Sequence, residues 1–95
     1  MRRPGTSGVS RRAQFPGDTW SEIGTLPAPV RLAVLNVIAH LLDEPVPSLA
    51  EPFPPGDPLP GAYELHLPSD DVIIWYTVTP HLGEEVISIQ AVRSI

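Results

Sequence analysis

The side chains here that could move a proton near neutral pH without special tuning are His40, His66 and His81, in a chain of 95 residues with no cysteine and no lysine. The three histidines share no ligand spacing, such as i and i+4 on one helix, so the sequence gives no reason to expect a metal site or a cofactor. His40 suits the solvated stripe of a helix, whereas His66 sits two residues after Glu64 in "AYELHL". That alternation puts both on one face of a β-strand, pointing outward where the strand is half exposed. Arg93, near the end of "VISIQAVRSI", is one of two arginines beyond residue 12.

Other chemistries are poorly served. The acid pairs Asp43/Glu44, Asp70/Asp71 and Glu84/Glu85 fall at expected turns or element ends, where solvated carboxylates are ordinary. There is no Gly-x-Ser-x-Gly elbow, phosphate-binding loop or dinucleotide fingerprint. Without cysteine, disulfides and thiolate nucleophiles are excluded. Trp20, Trp75 and Tyr76 lack interleaved basic residues and read as core or interface anchors.

Charge separates along the chain. Arg2, Arg3, Arg11 and Arg12 stand in the first twelve residues, and residues 13–95 hold two arginines against eleven acids, a formal charge of −9. Such a body repels phosphates, so its expected partners are basic or apolar. Residues 1–8 read as a mobile basic arm, and their paired arginines precede no apolar run of the kind a secretory signal needs. A cytoplasmic protein is the expectation. Hydrophobic residues at 42% and charged residues at 18% are values of a folded chain, so residues 9–95 are read as one domain.

The elements follow from pattern. "VSRRAQF" suggests a first strand, and "TWSE" fits a capping box in which Thr19 and Glu22 satisfy each other's backbone amides. A short helix to about Thr25 follows, then a long one from about Pro27 to Asp43 with prolines in its first turn. Its apolar arc spans about 160°, wider than one sheet face uses, so the excess covers the first helix or another chain. Seven prolines between Pro45 and Pro60 make residues 44–60 an extended connector, barred from helix and from central strands. Three strands complete the chain, at 62–67, 72–78 and 85–92, with turns near 69–71 and 80–83 implying an antiparallel meander. Tyr63, Leu65 and Leu67 share one face of the first of these; Ile87, Ile89 and Ala91 share one face of the third.

This order resembles the RelE/ParE superfamily of toxins from type II toxin–antitoxin systems. "TWSEIGTLPAPVRLAVLNVIAHLLDEP" is similar to the family's helical hairpin, "LPGAYELHL" to its glycine-x-tyrosine strand, "DDVIIWYTV" to its tyrosine-rich strand and "VISIQAVRSI" to its last strand. The resemblance spans about residues 9–95 and implies an α+β fold, with an N-terminal strand and helical hairpin packed on a three-stranded antiparallel meander. It implies an antitoxin partner and one of two activities: cleavage of messenger RNA on the ribosome, or poisoning of DNA gyrase. In the ribonucleases basic side chains bind the phosphate and stabilise its developing charge. The matching positions here are Glu64, His66 and Ile73, with Arg93 kept after a slip of one residue. The resemblance therefore implies either a toxin that works through Arg93, His66 and Glu64, or a binding module of the same fold without nuclease activity.

Overall fold

The computed structural model describes residues 10–95, and the expected arm at 1–8 lies outside them. Seven elements follow in order: β1 Ser10–Gln14, α1 Thr19–Gly24, α2 Ala28–Asp43, β2 Glu51–Pro52, β3 Ala62–Leu67, β4 Val72–His81 and β5 Glu84–Ser94. The strands form one sheet in the order β1-β5-β4-β3-β2, antiparallel except for the β1–β5 pair. This is the expected α+β architecture, with the meander as its three central strands. One strand more than expected is present: within the proline-rich connector, Glu51 and Pro52 pair with Glu64 and Tyr63. Proline is tolerated there because β2 is an edge strand.

Both helices lie on one face of the sheet, and the core fills the space between. Ile23, Val34, Ile38 and Leu41 meet Leu65, Val72, Ile74, Tyr76, Ile87, Ile89 and Val92, all buried. Each large aliphatic side chain removed from water contributes about 1.5–3 kcal/mol. Val30, Leu35, Val37 and Leu42 are partly buried against this cluster, while Leu32 remains exposed.

One expectation about local chemistry fails because an open strand edge competes for the same side chains. The capping box does not form: Asp18 is the N-cap of α1 and makes no side-chain cap bond. Thr19 is buried, and its hydroxyl donates to the carbonyls of Pro16 at 2.8 Å and Gln90 at 3.3 Å. Glu22 instead accepts the backbone N–H of Val92 at 3.3 Å. β1 pairs with β5 only as far as Ser88, so the edge of β5 beyond it has no strand neighbour on that side. Side chains of α1 bond that edge in place of a strand, which is where Thr19 and Glu22 are used.

The second correction concerns β5. Tyr76 pairs with Ile89 but Trp75 pairs with Ala91, so Gln90 is an extra residue and the strand carries a bulge. Beyond it the faces exchange: Val92, not Ala91, joins Ile87 and Ile89 over the core, and Ala91 faces away. The β4–β5 hairpin is also tighter than expected, closing through Leu82 and Gly83, both at positive φ.

Charged groups secure the ends of the helices. Arg11 Nε donates to Glu85 at 2.7 Å while its Nη1 donates to the Leu42 and Asp43 carbonyls at the end of α2. Arg31 donates likewise to the carbonyls of Gly24, the last residue of α1, and of Leu26. A cation at a helix C-terminus satisfies orphan carbonyls and meets the negative end of the helix dipole.

The turn into β3 depends on Gly61. It sits at φ +75°, and a Cβ there would lie 2.6 Å from the Val78 carbonyl oxygen. Gly61→Ala is expected to cost about 1–3 kcal/mol. Gly24, with open space around it, should accept alanine without loss; urea unfolding of both variants checks the contrast. Tyr76 anchors the connector by donating to the Pro45 carbonyl at 2.7 Å. Burial, with Tyr63 beside it, pushes its phenol up to about 12. An unfolded phenol ionises near 10, so this contribution to stability is complete below pH 10 and is lost as pH rises toward 12. Absorbance titration should show one late-ionising tyrosine that disappears in Tyr76→Phe.

Candidate functional site

The sheet face opposite the helices carries the residues singled out by chemistry. Strand alternation sends Glu64 and His66 to that face because Leu65 and its neighbours pack under the helices. Register then sets the neighbours. His66 pairs with Ile73 and Ile73 with Arg93, forming one cross-strand row; Glu64, Trp75 and Ala91 form the next. The bulge at Gln90 is what brings Arg93 to this face. At a strand spacing of 4.7–4.9 Å, the backbones of His66 and Arg93 stand about 9.6 Å apart, with Ile73 between them. The row therefore unites two of the three candidates, and Glu64 lies one row away.

Their hydrogen bonds differ. Arg93 Nη1 donates to Glu22 Oε2 and to the Val92 carbonyl. The hydrogen bond from Arg93, then the one from the Val92 amide, hold the Glu22 carboxyl below its usual range against the opposing effect of burial, with the guanidinium charge adding the least. Glu64 Oε1 accepts from Trp75 Nε1 at 3.0 Å, and the Phe53 ring lies 6.1 Å from that indole. His66 is exposed, and its imidazole makes no hydrogen bond among the described residues. As arranged, the face offers one available imidazole, one indole-bound carboxylate, and one guanidinium already engaged by an acid.

Glu22 was not visible as a site residue from the sequence. Its position three after Thr19 matched a helix cap, and nothing local signals a carboxylate that reaches a strand 70 residues later. Trp75 was read as an anchor, and its indole N–H does fix a candidate site residue. His40 and His81 stand elsewhere, on α2 and at the end of β4.

No protein-family model and no curated protein matches the sequence. Solved structures do. The isolated RelE toxin of E. coli superposes with a TM-score of 0.71 at 18% identity, covering 86% of this chain and 81% of that one. The chain has the RelE fold. A chain of the RelBE2 toxin–antitoxin complex of Mycobacterium tuberculosis gives 0.70 at 16% identity, covering 92% of this chain and 100% of its own. A chain of the intact E. coli RelBE complex gives 0.70 at 19%, covering 87% and 94%. The likeness covers 86–92% of this chain.

The Glu22–Arg93 pair has a defined pH signature. Because the folded carboxyl is the stronger acid, its stabilisation is complete above the unfolded value near 4.3 and is lost as pH falls through the lower folded value. The pair is largely exposed, with side-chain accessibilities of 28% and 55%, so solvent screening limits it to about 1 kcal/mol or less. Glu22→Gln is expected to melt a few degrees below the parent at pH 7. The gap should close toward pH 3, as thermal unfolding across that range would show.

Proposed function

We propose that this chain is the toxin-like component of a type II toxin–antitoxin module, cleaving messenger RNA through the outer-face row and held inactive by an antitoxin. The row of His66, Ile73 and Arg93, placed on one face of a RelE fold, is the observation that carries this reading. In it the Arg93 guanidinium binds the scissile phosphate and stabilises charge that develops on its oxygens. The His66 imidazole, exposed on the same row, takes or returns the proton of the attacking or leaving oxygen. Glu64 orients Trp75, on which a base can stack. In this scheme Glu22 competes with the phosphate for Arg93. A cytoplasmic site of action follows from a ribosome-bound substrate; among the described residues, no helix is long and apolar enough to cross a membrane.

One observation favours a second reading, a binding module of the same fold without nuclease activity. Arg93 is already paired with Glu22, and Ile73 stands at the centre of the row where a cation would bind phosphate. Poisoning of DNA gyrase is the other activity within the toxin reading.

Induced expression in a bacterial host separates these. The expected result is growth arrest with cleaved messenger RNA, relieved by Arg93→Ala and weakened about 10²-fold or more by His66→Ala in cleavage assays. Arrest with altered supercoiling and intact messenger points to gyrase. Normal growth in cells that accumulate folded parent protein removes the toxin reading and leaves the binding module. Releasing Arg93 by Glu22→Gln is expected to raise cleavage; no change would show that the pair does not restrain the site.

A further inference from the structure

On the helix side of the sheet, away from the candidate row, a groove of about 310 Å³ opens between α2, the connector and β3. Val37 and Leu41 form one wall, Leu65 and Leu67 the other, and Pro47 and Leu49 the lip. Leu49, on the lip, is 66% exposed. The rim of the groove is acidic, with Asp43 and Glu44 at the end of α2 and His40 alongside. The Tyr76 bond to Pro45 fixes the connector wall, so a ligand need not order it on binding.

The groove runs beside an open sheet edge. The Phe53 N–H donates to the Ala62 carbonyl, which shows that the backbone groups of Ala62, and by strand period those of Glu64 and His66, point toward β2. β2 ends opposite Glu64 at Glu51, and Ala50 turns away to bond Pro47. The N–H and C=O of His66 therefore have no strand partner on that side among the described residues. An unpaired edge beside an apolar groove is the arrangement that takes an extended peptide, with backbone bonds to the edge and alternate side chains in the groove.

We propose that this groove and the edge at His66 bind an extended segment of a partner protein in which basic and apolar residues alternate. The charge is decided by the rim and by the folded body behind it, where residues 10–95 hold four arginines against eleven acids, a formal charge of −7; both attract a cationic segment and repel an acidic one. An apolar residue seats against Leu41 and Leu67, and its basic neighbours face Asp43 and Glu44. The proposal deepens the partner-binding half of the toxin reading and names the chemistry of the antitoxin segment that docks here.

The test uses the full chain and a labelled ten-residue peptide alternating lysine with leucine or valine, against the same peptide with glutamate for lysine. By fluorescence anisotropy at about 50 mM salt, the basic peptide should bind at least tenfold more tightly, with the difference shrinking as salt is raised. Asp43→Lys with Glu44→Lys should reverse the preference, and Leu49→Asp, at an exposed position, should weaken the basic peptide about tenfold. The His66 amide should shift on binding in a nuclear magnetic resonance titration. Equal affinity for both peptides overturns the proposal, as does binding indifferent to all three substitutions while circular dichroism shows them folded. Self-association that Leu49→Asp abolishes would assign the groove to a second copy and overturn it too. Growth arrest without peptide binding removes the groove proposal alone; peptide binding without arrest supports it and removes only the toxin reading.

Discussion

A single extra residue, Gln90, decides which side chains of β5 belong to the core and which to the open face. Strand faces alternate with a period of two, so one inserted residue exchanges them for everything beyond it. Before the bulge Ile87 and Ile89 lie under the helices; after it Val92 does, and Arg93 turns outward beside Ile73. Without the insertion, Ala91 and Arg93 would face the helices and Val92 would face solvent. That would exchange a buried valine for a buried guanidinium, at a cost of several kcal/mol for the unpaired charge. The same bulge lies where β1 has ended and α1 begins to bond the β5 edge through Thr19 and Glu22. Core, edge and candidate row are thus settled at one place.

The charges of this acidic chain are distributed around that frame. Four arginines are described, and each meets a negative group of the fold: Arg11 at Glu85 and the end of α2, Arg12 at Glu84, Arg31 at the carbonyls closing α1, and Arg93 at Glu22. Among the described residues, no guanidinium is left without such a partner. An anionic ligand on the outer face must therefore displace Glu22 from Arg93, and that exchange loses one charge-assisted hydrogen bond as it gains another. The cations that steady helix ends and strand edges are the same ones that anion chemistry would require. In a chain with so few, the two demands compete at Arg93.

Much of the fold was legible because its signals are local. The alternation of "AYELHL" gives β3 at its observed bounds, and the prolines around Pro27 place the start of α2 within a residue. What escaped sequence reading depends on contacts distant along the chain. Thr19 and Glu22 have the spacing of a capping box, yet a strand edge some 70 residues away uses both. Ala91 keeps an unbroken alternation with Ile89 on paper, and only the pairing with β4 reveals the insertion between them. β2 was hidden because Glu51 and Pro52 have no strand signal of their own and pair only where β3 offers an edge. For the site, Glu64, His66 and Arg93 were reached by matching positions of the resembled family; the row that joins two of them, and the acid that holds one, were not.

The two faces of β3 and β4 separate what the fold requires from what the surface can bind or catalyse. Tyr63, Leu65, Ile74 and Tyr76 face the helices, and Gly61 makes the close turn that starts β3. Changes at these positions create cavities or strain, so the demands on them are steric and independent of any substrate. Glu64, His66, Ile73 and Trp75 alternate with them and face the other way. A change there leaves the packing beneath the helices intact, so it alters what the surface can bind or catalyse at little cost to folding. The outward half is constrained by its own chemistry, and in this chain that half presents an isoleucine between a histidine and an arginine held by glutamate.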